Sequence, residues 1–301
     1  MKVSILIVSW NTCQLLLDCL QSIYTYPPQI DFEIRIVDND SGDGSAQVVQ
    51  ERFPQVQVIS SATNLGFASG NNLVAQHAQG QYLLLLNPDT VIHPQTIDQL
   101  VAFLDAMPNA GAVGPRMFNS DGSLQISTFR TPNLFLEAWQ LLYFDRLFPL
   151  SHYGEDHKGP IVVDVLNGAC ILMRREIFQS LGGFDINFFM YSEEVDLCLR
   201  IRQAGWLLYY LPTAQIVHYG GQSTRQVRDL MFLELYRNKV RFFKKHYGSR
   251  QTVAYKILLW IVAVTRILPG MLASKLDSMS GQRLARIGHQ YRLLMKHLAE
   301  F

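Results

Sequence analysis

The sequence predicts an α/β fold, a mostly parallel central sheet flanked by helices, with a helical, basic C-terminal extension. Three observations carry that expectation. Short apolar runs begin near residues 3, 32, 56 and 82, and the stretches between them fit helices, which is the spacing of successive βαβ units. The runs are almost wholly apolar, as strands covered on both faces by helices must be. Cations crowd into the C-terminal end of the chain, where these runs no longer occur.

Taken in order, residues 3–8 read as the first strand, and Leu15, Leu16, Cys19, Leu20 and Ile23 give the apolar stripe of a helix. Residues 32–37 are a second strand that runs into an acidic turn, and 56–59 and 82–86 are a third and a fourth. Beyond Gly114 the regularity fades. Residues 117–160, rich in aromatics, Pro, Gly and Asp, are expected to contain loops that shape a binding face. A strand pair or one long strand is expected over 162–173, then a short helix over 174–181 stopped by Gly182 and Gly183. A further helix covers 193–204, ended by Gly205, and residues 230–247 and 253–268 read as helical. Leu284, Ile287, Tyr291, Leu294 and Leu298 form a last apolar stripe. The run ILLWIVAV, eight residues flanked by Lys256 and Arg266, is shorter than the roughly 20 apolar residues of a bilayer span, which leaves an interfacial helix open.

Composition excludes some classes. With 49% hydrophobic and 17% charged residues, the 301-residue chain is globular rather than disordered. Cys13, Cys19, Cys170 and Cys198 show no paired short spacing, and no cleavage site follows the first residues, so a reducing cytosol is the expected home. The net charge of +1 conceals an asymmetry. Residues 1–235 hold 13 Lys/Arg against 23 Asp/Glu, a net −10, whereas 236–301 hold 13 against 2, a net +11. Such a tail meets an anionic surface or packs on the rest of the chain with its basic faces solvated.

Four segments carry chemistry. The second strand delivers VDNDSGDGS (37–45), where a carboxylate at a strand end accepts hydrogen bonds from a base or ribose, although, taken alone, the segment is better read as an acidic turn with Ser45 capping the next helix. NLGFASGNN (64–72) opens a helix with small residues, which lets a backbone approach a pyrophosphate. LLLLNPDT (83–90) ends an apolar strand in Asp89 at the rim of the sheet, where a hard cation could be held by oxygen, and a helix cap before Gln95 accounts for this tetrapeptide equally well. In FFMYSEEVD (188–196), Glu193 and Glu194 are adjacent and diverge, so one is a candidate general base while the other caps or binds. His218 follows two apolar residues and precedes Gly220 and Gly221.

With SILIVSWN (4–11), LNGACILMRRE (166–176), GGFDINFFMYSEEVDLCLR (182–200) and VHYGGQST (217–224), these segments form an ordered series over residues 1–225. The series resembles inverting glycosyltransferase family 2 with the GT-A fold, and within it the bacterial rhamnosyltransferase-like group. The resemblance implies a catalytic domain over 1–225, with nucleotide-sugar binding over about 1–115 and the acceptor and catalytic part over about 116–225, and a helical extension over 226–301. It implies that Ser9, Asn11 and Asp38 line the nucleotide pocket, with Asn64, Gly66, Asn71 and Asn87 beside the donor. Asp89 would hold Mg²⁺ or Mn²⁺ on the donor pyrophosphate, with His218 as second ligand. The family commonly shows Glu then Asp where this chain has Glu193 and Glu194; alignment puts Glu194 at the base position, and the choice between the two glutamates stays open.

By the same resemblance the donor is a dTDP-, UDP- or GDP-sugar, L-rhamnose being the sugar the group points to, and the acceptor is a saccharide or lipid-linked saccharide of surface polysaccharide synthesis. An enzyme of this kind would be cytoplasmic and peripheral on the cytoplasmic face of an anionic membrane. The rival is a nucleotide-sugar or carbohydrate-binding protein of the same fold without catalysis, for which the acidic pair would be superfluous. A dinucleotide-dependent dehydrogenase is excluded, because Ser9-Trp10-Asn11-Thr12 stands where a Gly-x-Gly-x-x-Gly turn is required. No nucleic-acid-binding module accompanies the basic tail, and no nucleic acid partner is expected.

Overall fold

The computed structural model describes residues 1–154, 156–222, 224–273 and 279–301. Its first half alternates as expected: β1 (Val3–Ser9), α1 (Cys13–Thr25), β2 (Phe32–Asn39), α2 (Ser45–Arg52), β3 (Gln57–Ser61), α3 (Gly66–Gln76) and β4 (Tyr82–Leu86). There follow β5 (Thr90–Ile92), α4 (Thr96–Ala106), β6 (Ala110–Phe118), β7 (Leu124–Gln125), β8 (Thr128–Phe129) and α5 (Leu134–Leu141). The remainder comprises β9 (Ile161–Val163), β10 (Val165–Leu166), β11 (Cys170–Arg174), α6 (Arg175–Ser180), α7 (Glu193–Gln203), β12 (Leu207–His218), α8 (Arg228–Ala273) and α9 (Met279–His297).

The main sheet runs β3-β2-β1-β4-β11-β6-β12-β5, with β7 on β6 and β9 on β12, while β8 and β10 pair separately. Strands β3, β2, β1 and β4 are parallel. Then β11 enters antiparallel to both β4 and β6, β12 runs parallel to β6, and β5 returns antiparallel along β12. Alternate residues of β1 and β4 feed two cores. Val3, Ile5, Ile7, Leu84 and Leu86 join α1 and α4 on one face, whereas Leu6, Leu83 and Leu85 join α3, α6 and α7 on the other. This two-sided burial is why the strands contain so few polar residues.

Two compact units emerge. The sheet unit comprises Met1–Thr131, His152–Phe189 and Glu193–Gln226, and the helical unit comprises Pro132–Ser151, Met190–Ser192 and Val227–Phe301. In the helical unit Lys239 Nζ donates to both oxygens of the buried Glu137 carboxylate at 2.9 Å, and the Tyr255 hydroxyl donates to Oε2 at 3.0 Å, fastening α5 to α8. Helices α8 and α9 meet at Gly270 and Gly288, where a Cβ built on Gly270 would lie 2.7 Å from the Gly288 Cα. Only glycines permit that approach.

One sequence expectation changes, and another gains detail. Residues 117–160 hold, besides their loops, the end of β6, β7, β8 and α5. The run ILLWIVAV lies inside α8, which is two helical segments joined at the non-helical Gly248 (φ 77°, ψ 178°), and an 18-residue stretch of α8 has mean hydropathy 1.7 with 28% of it buried. By length and composition alone that helix is able to cross a membrane. Local hydropathy ended at Arg266, but the helix does not.

Candidate active site

The parallel strands deliver their ends to one rim of the sheet, where open α/β sheets bind ligands. Ser9 and Asp38 sit opposite each other in the register of β1 and β2. Ser9 Oγ is 3.1 Å from Thr12 Oγ1, and Asp38 Oδ1 accepts from Ser45 Oγ at 3.2 Å, so Ser45 serves the carboxylate instead of capping α2. Asn11 takes a left-handed conformation (φ 51°) and stitches two turns together: its N–H donates to Ser41 Oγ at 3.0 Å, and its Oδ1 accepts from the Gly42 N–H at 2.8 Å. A short amide side chain is suited to both tasks.

Asn64 and Gly66 are held by Asn39, a residue sequence reasoning missed. Asn39 Nδ2 donates to Asn64 Oδ1 at 2.9 Å, Asn39 Oδ1 accepts from the Leu65 N–H at 2.8 Å, and Asn64 Oδ1 also accepts from the Gly66 N–H at 2.9 Å. Gly66 has φ 76°, and a Cβ there would lie 2.4 Å from the Phe189 carbonyl oxygen, which receives the Phe67 N–H at 2.9 Å. Glycine is therefore obligatory. Asn71 is 2% exposed and turns its Nδ2 inward to the Phe67 carbonyl at 3.0 Å, within α3.

Asp89 and His218 are 129 positions apart and are joined by one strand pairing. β4 ends at Leu86, Asn87 is half-buried in the following turn, and β5 pairs with β12 in the register His218↔Thr90. His218 Nε2 thereby comes within 3.4 Å of Asp89 Oδ1, and the Tyr219 N–H bonds the Asp89 carbonyl at 2.9 Å. On the other side of the ring, His218 Nδ1 is 2.7 Å from Gln125 Oε1. Gln125 Nε2 donates to Asn119 Oδ1 at 2.8 Å and to the His218 carbonyl at 3.2 Å, which fixes the orientation of the amide. Nδ1 must therefore donate, leaving the Nε2 lone pair free. That nitrogen is buried and has no hydrogen-bond partner.

Glu193 and Glu194 open α7 after two residues of positive φ, Tyr191 and Ser192. Of the three acids in this turn, Asp196 is buried and bound to Arg200 Nε at 2.7 Å, and Arg200 also holds the Leu181 and Gly183 carbonyls. Asp196 is thus structural. The two glutamates are different: Glu193 is buried, Glu194 is partly so and lies against Gly168, and the Oε2 of each is sealed off without a hydrogen-bond partner. Burial raises both carboxyls above the usual range, and the neighbouring Glu194 charge raises Glu193 further.

Among the described residues no cluster of three or more His, Cys, Asp or Glu is arranged around a metal position. Asp89 with His218 is the convergent pair, an oxygen donor beside an unpartnered imidazole nitrogen. Of the segment 217–224, Ser223 lies outside the described residues.

Residues 4–182 match the family Glycosyl transferase family 2. The chain belongs to that family. Over 207 residues this glycosyltransferase is 32% identical to an N-acetylglucosaminyl-diphospho-decaprenol L-rhamnosyltransferase of Mycobacterium tuberculosis, covering 64% of this chain and 67% of the relative. It is 27% identical over 204 residues to rhamnosyltransferase WbbL of Escherichia coli, covering 64% and 75%. The fold is also that of the mannosyltransferase PcManGT of Pyrobaculum calidifontis, solved with GDP-Man and Mn²⁺ (TM-score 0.57, 19% identity, 99% and 84% covered). A second similar structure is GalNAc-T7 with UDP, GalNAc and Mn²⁺ (TM-score 0.55, 18% identity), with 72% of this chain but only 44% of that one covered. The α/β architecture is thus GT-A, and the glycosyltransferase is of the rhamnosyltransferase-like group.

Proposed function

We propose that this glycosyltransferase moves a sugar, L-rhamnose by preference, from a nucleoside-diphosphate donor to a saccharide or lipid-linked saccharide acceptor with inversion at the anomeric carbon. The observation that carries the reading is that, of the five buried polar side-chain atoms left unpartnered among the described residues, three belong to the motif residues Glu193, Glu194 and His218. Buried polar groups are normally satisfied, so such a set is expected where a ligand completes the bonding.

Asp89 and His218 fit a divalent cation as two of its ligands, and the diphosphate and water would supply the rest, as is usual for Mg²⁺. When bound, the cation supplies positive charge to the departing diphosphate. Ser9, Asn11 and Asp38 border the nucleoside, and Asn64, Gly66 and Asn87 border the donor. Glu194 accepts the proton of the acceptor hydroxyl as it attacks opposite the leaving group, and burial together with the Glu194 charge raises the neighbouring Glu193 carboxyl, which favours ionisation of Glu194 over Glu193. A single displacement inverts the centre through an oxocarbenium-like transition state.

The test is thermal stabilisation by a panel of dTDP-, UDP- and GDP-sugars with and without Mn²⁺, followed by transfer to an acceptor with the product's anomeric configuration read by NMR. Stabilisation by dTDP-rhamnose that depends on Mn²⁺, with an inverted product, is the expected result. Stabilisation without any transfer would favour a binding protein, and a retained configuration would remove the single-displacement mechanism.

A further inference from the structure

The helical unit exposes apolar side chains that the sheet unit mostly buries. Along α8, Val253, Ile257, Trp260, Ile261, Leu268 and Leu272 are each 50–73% exposed. Their spacing puts them on one stripe of the helix, over a length of about 30 Å. The opposite stripe, including Tyr255, Leu259, Val262 and Ala273, is buried. The helix is therefore apolar on two faces, one of which is left exposed by the described residues.

A second apolar surface follows α5 in the same unit. Leu142, Phe144, Leu147, Phe148 and Leu150 are 41–74% exposed. These residues are not a frayed end. The Arg266 guanidinium of α8 donates to the Leu141 carbonyl at 2.9 Å and lies 4.4 Å from the Tyr143 ring centre, while Arg146 lies over the same ring at 4.5 Å. Trp139 Nε1 holds the Phe148 carbonyl at 2.9 Å. Exposed apolar surface fastened by cations in this way is a built feature.

Charge selects the occupant. Residues 236–301 carry a net +11, and Lys244, Lys245, Arg250, Arg283, Arg286 and Arg292 are all exposed. A second copy would bring the same cations against them. A bilayer containing anionic lipid offers an apolar layer beneath a negative surface, which matches both properties.

We propose that this unit docks on an anionic membrane by laying the exposed stripe of α8 into the headgroup–acyl boundary and inserting the 142–150 segment beside it. The C-terminal half of α8 then lies in the membrane plane, with its buried face kept against α9. This deepens the reading of a lipid-linked acceptor, and its test uses no acceptor, so that either is able to fail alone.

The full chain is sedimented with vesicles of phosphatidylcholine, with and without an equal part of phosphatidylglycerol. Binding is expected only with the anionic lipid and is expected to fall as salt rises. The double variants Ile257→Ser/Trp260→Ser and Leu147→Ser/Phe148→Ser should each weaken binding roughly tenfold or more, whereas Leu284→Ser, an exposed leucine of α9, should not. As a measurement that needs no change to the apolar patch beyond one ring, brominated lipid should quench the intact chain's fluorescence more than that of Trp260→Phe. Absence of vesicle binding, or binding unaffected by both serine variants, overturns the proposal. So does a dimer, read by light scattering, that the serine variants dissociate, and so does resistance to alkaline carbonate extraction, which would mean a spanning helix. Loss of sugar transfer to a soluble acceptor with vesicle binding intact would count against the proposed function alone.

Discussion

The sheet unit and the helical unit leave opposite demands unmet. In the sheet unit the apolar residues of β1 and β4 are buried except for the half-buried Val8, and the unpartnered atoms are polar: Glu193 Oε2, Glu194 Oε2 and His218 Nε2 at the strand-end rim, with Gln99 Oε1 on α4. In the helical unit the Glu137 carboxylate is satisfied by Lys239 and Tyr255, Arg266 Nε is the buried polar atom without a partner among the described residues, and the large exposed surface is apolar, along α8 and residues 142–150. Burying a polar atom without a partner costs about 1–3 kcal/mol, and exposing apolar area forgoes roughly 25 cal/mol per Å². At Glu193, Glu194 and His218 the proposed donor and acceptor would relieve that cost, and along α8 the proposed bilayer would.

The contrast breaks most sharply at Glu194. Glu194→Gln is expected to lower the rate of transfer by about 10²–10⁴-fold while leaving donor affinity unchanged, as read by kcat and by calorimetry of donor binding. In the unaltered enzyme, kcat should rise with pH through a midpoint above the usual glutamate range, because burial raises that carboxyl. If Glu193→Gln shows the large loss and Glu194→Gln the small one, the base is Glu193.

A smaller effect is expected at Gln125, which touches His218 and not the ligand. Gln125→Ala frees the imidazole to adopt the other tautomer, and should weaken Mn²⁺ binding in the presence of nucleoside diphosphate by about 10–100-fold, measured by electron paramagnetic resonance of the free ion. Without the nucleotide, Mn²⁺ affinity should be low in both proteins, since two side chains do not complete a coordination sphere.

Gly66→Ala tests whether backbone shape, with no charge altered, matters at the same rim. A Cβ 2.4 Å from a backbone oxygen at φ 76° is expected to cost about 1–3 kcal/mol, seen as a lower melting temperature and weaker donor binding.

The smallest effect is a gain. Because the folded Glu193 carboxyl is raised above its ordinary value of 4.5, its stabilising contribution is present below that pH and lost as pH climbs through the raised value. Glu193→Gln should therefore melt above the unaltered protein by a margin that widens from acid to neutral pH. An unchanged margin would mean that the carboxyl is not raised.

Much of the parallel block was legible because each strand is short, apolar and bounded by turn residues: residues 82–86 form β4 as expected, and β1 and β2 extend the expected runs by one and two residues. β12 was not legible as a strand. Pro212 and a shift in register between Leu211 and Gln215 interrupt its pattern, and only pairing with β6 and β5 holds it extended. α5 hid for another reason, since its aromatic residues do not fall on a single buried stripe: Glu137 is its buried residue and Phe135 is exposed. Among the candidate site residues, Asp38, Asp89, Glu193, Glu194 and His218 were visible as polar residues beside apolar runs, but Asn39 and Gln125 gave no signal beyond being ordinary turn and strand residues.

The sequence by itself determined the alternation of strands and helices, the family, and which polar residues stand at strand ends, because these follow from local periodicity and from an ordered series of short segments. Only the tertiary structure decided that Asp89 faces His218, that Gln125 leaves Nε2 of that ring free, that Asp196 is already paired while Glu193 and Glu194 are not, and that α8 keeps an apolar stripe uncovered. Each of those depends on strand register or on which face of a helix finds a partner, and both are set by residues far away in the chain.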